Sequence, residues 1–399
     1  TLAKEAFIAA ADPNMFIEQL KFVEPWQTKR IFWNSWRPSV EEAAKLLKMD
    51  TGEYNFLLGK SFTEISAESR SMHKSQGFGV TATRAPRLEY FQFVAGEEAK
   101  DDIMNGVNTS WQRIKNGKSI EDKINFIINS YDFQDPSKSL NKLIELYASI
   151  NKLENNSWVE TKRNELLQII QSCAGLWMES MSSDYSSAPG NEINIKTTLV
   201  NRSSNNFRVE KIEFPTIPFT VQTNSKLEDN QPYTIESKIR IPETYPLSQP
   251  YWLEEKSSGG LFTVTDQKLI GKAENNFTLP VRIFLSYEGE ILEFTIPLLY
   301  RWNDRVDGEL YRPFEVRPPV VANLTDKVAV FPDDNAKEIK IKLKSITPNA
   351  TGEIHLHADD NWVIAPSTIP FSLKNKYDEQ TVTFKITPPK NPGRAKLLV

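Results

Sequence analysis

The sequence is poor in the side chains that carry most metal and redox chemistry. Of its 399 residues one is a cysteine, Cys173, and three are histidines, His73, His355 and His357. A lone cysteine forms no disulfide within the chain, which excludes a small domain held together by disulfides. Three scattered imidazoles are also too few and too badly spaced to supply the ligands of a catalytic zinc ion.

The chain also lacks a strong net charge and a long apolar run. A formal net charge of −4 argues against a surface dominated by phosphate contacts, so we expect no nucleic-acid partner. No run of about 18 apolar residues occurs, and we expect no membrane span. The 39% of hydrophobic residues is typical of globular protein, and the length predicts several domains.

Residues 1–95 alternate helical and strand-like patterns, which predicts an α/β unit. Two capping boxes mark helix starts within it, Ser39 with Glu42 and Ser61 with Glu64. The helix that follows Ser61 is predicted to run as far as residue 76.

The first histidine lies near the end of that second helix, in the stretch SRSMHKSQGFG. Helical spacing predicts that His73 and Gln76 share a core-facing stripe with Ile65 and Met72. Gly77 is predicted to end the helix in a left-handed conformation.

Residues 96–185 have a helical period and predict a helical extension. One of its apolar stripes is predicted to comprise Leu166, Ile169, Ile170, Cys173 and Trp177. The segment 182–191, SSDYSSAPGN, has the composition of a linker.

Short alternating strands follow the linker, bounded by Pro, Gly or Asn. They predict two β-sandwich (Ig-like) domains, at 190–316 and 317–399, the second of them incomplete. Glu288-Gly289 between two apolar runs predicts a two-residue hairpin turn.

Several stretches in the first 93 residues resemble the later part of the catalytic domain of the LmbE/PIG-L family of zinc-dependent de-N-acetylases. Two further stretches, 249–276 and 300–320, resemble segments of the long multidomain members of this family from Bacteroidetes-type bacteria. The N-terminal stretches are AKEAFIAAADP, FIEQLKFVEPWQTKRIFWNSW, SRSMHKSQGFG and RLEYFQF.

The resemblance implies that residues 1–95 are the C-terminal part of a Rossmann-like α/β catalytic domain. Members of the family carry a His-Pro-Asp-Asp motif and a later His-x-x-His motif, which supply the zinc ligands and the general base. Neither motif occurs in this sequence, and ADPN at 11–14 lacks the histidine. We therefore expect a fragment without metal or cofactor of its own, cut from a zinc-dependent parent protein.

The resemblance further implies that the parent protein hydrolyses the N-acetyl group of an N-acetylglucosamine-type amino sugar or glycoconjugate. It also implies a bacterial protein that is periplasmic, secreted or on the cell surface. The alternative from another class is a non-catalytic β-sandwich protein that binds a glycan or a protein partner. The oligomeric state stays open.

The resemblance implies that His73 and Gln76 lie where a helix borders the catalytic pocket, and that they contact the zinc ligands or the substrate hydroxyl groups. The simpler interpretation is a helix C-terminus that favours a nearby imidazolium, with Gln76 capping free carbonyls. Arg87 occupies a position near the pocket at which smaller family members have a tyrosine, so this sequence departs from the family pattern there.

His355, His357 and Asp359 lie at alternate positions of a predicted strand and so share one face. This spacing is compatible with a metal site, and His355 and His357 are its candidate ligands. Ile354 and Leu356 are predicted to occupy the buried face, which makes an exposed sheet face the simpler interpretation.

An aromatic set in the first predicted sandwich is a candidate platform for stacking sugar rings, with Trp252 and Trp302 as the candidate substrate-binding residues. Core packing explains the same residues more simply. The set comprises Tyr251, Trp252, Phe262, Tyr300, Trp302 and Tyr311.

Overall fold

A computed structural model describes residues 2–358, 361–391 and 393–399. The chain divides into two compact units, Thr1–Ile114 and Lys115–Val399. Strands outnumber helices, and they form several separate sheets. The coarse fold class predicted from the sequence, an α/β part followed by a β-rich part, is confirmed. In the part of the chain that the structure describes, no helix is both long enough and apolar enough to cross a membrane.

The N-terminal unit is built around a small antiparallel sheet in which the last strand, β5, lies between β1 and β2. Short 3-10 helices occur at Ile17–Lys21, Lys74–Gln76 and Trp111–Arg113. The other elements are α1 (Leu2–Ala9), β1 (Arg30–Ser35), α2 (Val40–Lys45), β2 (Leu47–Asp50), β3 (Tyr54–Asn55), β4 (Lys60–Ser61), α3 (Phe62–Ser71) and β5 (Leu88–Gly96).

Both predicted capping boxes are confirmed. The Ser39 hydroxyl accepts from the Glu42 backbone N–H, and the Glu42 carboxylate accepts from the Ser39 N–H at 2.9 Å. Ser61 and Glu64 make the same reciprocal pair at the start of α3, with the Ser61 N–H 3.0 Å from the carboxylate. Each pair satisfies backbone donors that the first helical turn leaves without an intrahelical partner.

The N-terminal unit has almost no core of its own. Within residues 2–114 the buried apolar side chains are those of Ala67 and Ala99. Many large apolar side chains of the same unit are exposed, and we call them the uncovered apolar set. They include Leu2, Ile8, Phe16, Ile17, Trp26, Trp33, Trp36, Phe56, Leu57, Phe62, Met72 and Leu88.

The C-terminal unit begins with a helical layer of α4 (Lys118–Asn129), α5 (Leu140–Ile150) and α6 (Ser157–Cys173). Its buried stripes contain Ile120 and Ile127 on α4, Leu143 on α5 and Ile170 on α6, in agreement with the helical period of the sequence. The predicted extension of one stripe to Trp177 is wrong. Gly175 takes a left-handed φ of 62°, which ends the helical period after Cys173.

The first group of strands forms one eight-stranded sheet in the order β10-β9-β12-β13-β6-β8-β11, with β14 paired to β13. The strands β7 (Ser186–Ser187) and β15 (Glu315–Val316) form a separate parallel pair. The members of the large sheet are β6 (Leu176–Ser182), β8 (Glu192–Asn201), β9 (Arg208–Phe214), β10 (Phe219–Lys226), β11 (Pro232–Arg240), β12 (Pro280–Tyr287), β13 (Glu290–Asp304) and β14 (Gly308–Pro313).

The long strand β13 belongs to both halves of this sheet. Residues 290–297 pair with β12, whereas Leu298 and Leu299 pair with β6, and the strand then continues in a hairpin with β14. The predicted turn between β12 and β13 is confirmed, because Glu288 and Gly289 have φ angles of 48° and 83°. Two successive positive φ angles are what a two-residue hairpin turn of this type requires.

The last strands form a four-stranded sheet, β16-β17-β21-β19, and a two-stranded sheet, β18-β20. Ile341, Leu343 and Phe384 are buried between these sheets. A cavity of about 1350 Å³ lies at one end of this core, lined in part by Phe331, Trp362 and Leu397. The strands are β16 (Val320–Leu324), β17 (Lys337–Ser345), β18 (Ala350–His355), β19 (Val363–Ala365), β20 (Thr368–Leu373) and β21 (Glu379–Thr387).

The domain boundaries predicted from the sequence, 1–95, 96–185, 190–316 and 317–399, stay predictions. The first compact unit ends at Ile114, and α4 begins at Lys118. The first strand of the large sheet begins at Leu176, inside the segment predicted to be helical.

Candidate functional site

His73 lies outside α3 and is exposed to solvent, so the predicted core-facing stripe is wrong at this position. The helix ends at Ser71, and the His73 backbone, with φ −77° and ψ 61°, leaves the helical region. Met72, which was placed on the same stripe, is 72% exposed. Gly77 takes the predicted left-handed φ of 65°, but it closes a 3-10 turn rather than the α-helix.

The structure brings the two candidate pocket residues His73 and Gln76 together. The His73 Nδ1 and Gln76 Oε1 atoms are 3.1 Å apart, and the imidazole ring lies beside Phe78 with centroids 6.3 Å apart. Because Gln76 Oε1 is an acceptor, this contact favours the tautomer in which His73 Nδ1 carries the proton. The contact orients the imidazole, and its role in a catalytic pocket stays a prediction.

Arg87 directly precedes β5, the middle strand of the N-terminal sheet. Its backbone N–H donates to Asp50 Oδ1 at 2.7 Å, and its Nε lies 3.4 Å from Glu89 Oε1. Among the contacts that the structure gives for Arg87 and His73, none joins the two residues. The role of Arg87 at a catalytic pocket stays a prediction.

The candidate metal ligands His355 and His357 lie on the exposed face of β18 and its extension, as predicted, while Ile354 and Leu356 are buried. Their rings are 6.3 Å apart and nearly parallel. His355 Nδ1 is 3.1 Å from Thr368 Oγ1. Asp359, the third member of the predicted face, lies outside the described residues. Within the described ranges, no group of three or more His, Cys, Asp or Glu side chains has the geometry to hold a metal ion.

The predicted aromatic set does not form one cluster. Tyr251 and Trp252 pack edge to face, 5.0 Å apart, on a 3-10 turn in the long connection between β11 and β12. Tyr311 points to the other face of the β13-β14 hairpin, since it lies directly opposite Arg301 in the register. Tyr300 and Trp302 remain together, with nearly parallel rings whose centroids are 6.0 Å apart.

The Tyr311 side of the hairpin carries a charged network. Arg301 Nη1 is 3.2 Å from Glu179 Oε2 and 3.4 Å from Glu309 Oε2, and the Tyr311 hydroxyl donates to Glu309. That hydrogen bond raises the pKa of the Tyr311 hydroxyl, because the neighbouring carboxylate disfavours the phenolate. Arg301, Glu309 and Tyr311 are largely exposed, so these contacts contribute little to the stability of the hairpin.

Sequence reasoning missed a cluster that joins the two groups of strands in the C-terminal unit, which we call the tyrosine joint. It consists of Asp184, Tyr185, Ser186, Lys376 and Tyr377. The Tyr377 hydroxyl is 2.6 Å from Asp184 Oδ1, and Lys376 Nζ is 2.7 Å from Asp184 Oδ2. The rings of Tyr185 and Tyr377 stack with centroids 5.0 Å apart.

Burial and the Asp184 carboxylate together determine the chemistry of the joint. Partial burial raises the pKa of the Tyr377 hydroxyl well above its ordinary value, and the hydrogen bond to Asp184 raises it further. The phenol therefore stays protonated and donates to the carboxylate. The segment that supplies Asp184 was predicted to be a linker, because its serines and glycine conceal a contact made 193 residues away.

Comparisons with known proteins add little. No protein-family model matches the chain, and no curated protein matches it. Among solved structures, the chain is similar to a protein of unknown function from Porphyromonas gingivalis W83, with 10% sequence identity over 53% of this chain and 83% of that chain. The TM-score is 0.14, which is too low to indicate a shared fold.

Proposed function

We propose that this chain is part of a bacterial zinc-dependent amide hydrolase that removes the N-acetyl group from an N-acetylglucosamine-type amino sugar or glycoconjugate. The proposal starts from the resemblance of residues 1–95 and 249–320 to multidomain LmbE/PIG-L proteins. In this reading, residues 1–95 complete a Rossmann-like catalytic domain, and 96–185 are a helical extension. Residues 190–316 and 317–399 are Ig-like sandwiches, the second of them incomplete.

The observation that supports the proposal is the uncovered apolar set of the N-terminal unit. A folded domain rarely exposes this many large apolar side chains, because burying each of them contributes about 1.5–3 kcal/mol. Ala67 and Ala99 alone cannot form the core of a unit of 114 residues. Further polypeptide of the same catalytic domain would cover this set.

The second group of strands supports the proposed incompleteness of the last sandwich. Its four-stranded sheet faces a sheet of two strands, and the cavity of about 1350 Å³ lies at the end of the core between them. Beyond β18, His357 and Leu398 exchange backbone hydrogen bonds of 2.8 and 2.9 Å. These bonds form an antiparallel bridge between Leu398 and the extension of β18.

The described residues do not fit a catalytic zinc site, since they contain no suitable ligand cluster. In the proposal, this chain by itself is inactive as a hydrolase. The proposed parent protein would supply the ligands and the general base from a preceding segment, and this chain would supply His73 and Gln76 at the border of the pocket. Export to the periplasm or the cell surface is part of the same proposal.

The test compares this chain with the longer protein encoded by the same gene. Both are loaded with zinc and dialysed, and zinc content and acetate release from N-acetylglucosamine oligomers are measured. We expect about one zinc per chain and acetate release in the longer protein alone. Tight zinc in the 399-residue chain, abolished by His355→Ala or His357→Ala, would contradict the proposal. A longer protein that binds no zinc would contradict it as well.

A second candidate function is a non-catalytic binding protein. The paired rings of Tyr300 and Trp302 favour it, since they are partly exposed and stacked. Trp252, the other candidate, packs against the buried Tyr251 and has a clear structural role. A longer protein without zinc and without acetate release that still binds a glycan would favour this function over the hydrolase.

A further inference from the structure

One face of the β13-β14 hairpin continues the buried row of the large sheet beyond its core. We call it the hairpin face, and it comprises Tyr300, Trp302, Asp304, Leu310 and Arg312. Alternation along β13 puts the first three on the side of the buried Leu298, and the register places Leu310 opposite Trp302 and Arg312 opposite Tyr300.

Burial falls along this row toward the tip of the hairpin. Leu298 and Phe314, which lie next to each other, are 3% and 1% exposed. Tyr300, Trp302 and Asp304 further along are all partly exposed. The core of the sheet therefore ends before the hairpin does, and the aromatic rings reach solvent.

We propose that the hairpin face binds the pyranose rings of a glycan. The ring planes of Tyr300 and Trp302 are inclined to each other by 17°, so they are nearly parallel, and both rings are partly exposed. A pyranose ring has an apolar face of C–H groups that packs on such surfaces. The amino-sugar class of the glycan rests on the proposed function, whereas the stacking surface does not.

Asp304 supplies the hydrogen-bonding group that sugar hydroxyls require. Its Oδ1 accepts from the backbone N–H groups of Val306 at 2.8 Å and Asp307 at 3.0 Å. These two bonds fix the carboxylate and lower its pKa, so the group is ionised at neutral pH. Its Oδ2 has no hydrogen-bond or ion-pair partner among the described residues, and a carboxylate oxygen accepts well from a hydroxyl.

The tyrosine joint holds the hairpin face in place before any ligand arrives. Tyr300 packs edge-on against Tyr185, with centroids 6.0 Å apart, and the Arg312 guanidinium lies 4.5 Å from the centroid of the same ring. Tyr185 is in turn stacked on Tyr377. Side chains that are already ordered lose little conformational entropy on binding, which favours even a small ligand.

The size of the hairpin face favours a sugar over a protein partner. A standard protein interface covers roughly 800 Å² on each partner. The hairpin face offers two partly buried aromatic rings and one leucine, which is far less. Arg312 is engaged by Glu315 at 3.1 Å and by Tyr185, so it is not free to bind a phosphate or carboxylate. A neutral or cationic sugar fits the remaining groups.

The test is isothermal titration calorimetry of the 399-residue chain with two probes, the tetramer of N-acetylglucosamine and cellotetraose. We expect binding that Trp302→Ala weakens about tenfold or more, because the variant loses the stacking surface. Trp302→Phe should retain most of the affinity, and Asp304→Asn should weaken it by a smaller factor. The matched control is Trp252→Ala, for which we expect a change of less than about twofold.

Melting curves of the variants identify any that fail to fold. If Trp302→Ala is one of them, Asp304→Asn carries the test, and an unchanged affinity in that variant would contradict the inference. The inference would be overturned if neither tetramer bound at millimolar concentration. It would also be overturned if Trp302→Ala and Trp252→Ala lowered the affinity equally. Binding of cellotetraose alone would support the stacking surface and contradict the amino-sugar class. None of these binding measurements depends on zinc or on acetate release. The proposed hydrolase function is therefore tested separately from glycan binding at the hairpin face.

Discussion

The Tyr377 side chain makes a ring contact, which a phenylalanine would keep, and hydroxyl contacts, which a phenylalanine would lose. Its ring stacks on Tyr185, and its hydroxyl bonds to Asp184 and lies 3.1 Å from the Ser186 hydroxyl. The residue itself has a left-handed φ of 69°. Such a position is rare for a bulky residue and persists only when its surroundings hold it.

Replacement of Tyr377 by phenylalanine should lower the free energy of unfolding of the C-terminal unit by about 1–2 kcal/mol. The ring stays in place, but the Asp184 carboxylate loses a charge-assisted hydrogen bond. Urea unfolding followed by circular dichroism measures the change. Tyr311→Phe is the matched control, because that residue is exposed and a change within about 0.5 kcal/mol is expected. Equal effects of both variants would contradict the role of the joint.

Glu42 should titrate below the ordinary pKa of a glutamate. The Ser39 backbone N–H is the main cause, and the Ser39 hydroxyl adds to it. The stabilisation from this carboxylate is therefore fully present above the unfolded pKa of about 4.3 and is lost as the pH falls through the lower folded pKa.

A carbon-detected NMR titration of the Glu42 carboxyl group checks this directly. In Glu42→Gln the capping hydrogen bond remains possible, but the ionisable group is gone. The variant should lose less helix stability than the wild type between pH 6 and pH 3. A Glu42 carboxyl group that titrates at or above its ordinary pKa would contradict the assignment.

Local elements were predictable where the signal lies within a few residues. Ser39 with Glu42 predicted the start of α2, because each side chain bonds to the backbone N–H of the other residue and the two residues are three positions apart. Glu288-Gly289 predicted its turn because few residue pairs tolerate two positive φ angles. The end of α3 was misjudged, because the periodic pattern continues through His73 although the backbone leaves the helix at that residue.

Gly175 lies between the end of α6 at Cys173 and the start of β6 at Leu176, although the helical pattern of the sequence continues to Trp177. A Cβ at this position would lie 3.2 Å from Arg202 Cβ, in a backbone conformation with positive φ. Gly175→Ala should therefore destabilise the C-terminal unit by about 1–2 kcal/mol. Denaturant unfolding measures the loss.

The control for Gly175→Ala is Gly79→Ala, since Gly79 has open space around it and no positive φ. We expect that variant to stay within about 0.5 kcal/mol of the wild type. A neutral Gly175→Ala variant would mean that the junction of α6 and β6 can relax. The helical period could then extend toward Trp177, as the sequence predicted.

At the scale of the whole molecule, the apolar core is distributed very unevenly. Nearly all the buried apolar side chains belong to residues 115–399, although Trp and Phe are frequent in the N-terminal unit. The sequence could not reveal this difference in burial. An apolar pattern identifies which face of an element is to be buried, but not which segment of polypeptide packs against that face. The tyrosine joint was unpredictable for a related reason, since its partners are far apart in sequence.

The two units should therefore differ in amide hydrogen exchange. We expect β1, β5 and α3 to exchange much faster than β8, β12 and β17, because exchange requires only local opening where few apolar contacts oppose it. Exchange of the intact chain followed by mass spectrometry gives the comparison, and limited proteolysis should cut first within residues 2–114. Similar protection in both units would contradict the view that the N-terminal unit lacks a core.

The long strand β13 also has a mechanical consequence. Its 15 residues hold β12 on one side of Pro297 and β6 with β14 on the other. A stretching force applied across the large sheet would load the hydrogen bonds of both halves through this one strand. In a single-molecule pulling experiment the sheet should therefore yield first between β13 and β6, where the pairing consists of Leu298 with Ser180 and Leu299 with Met181.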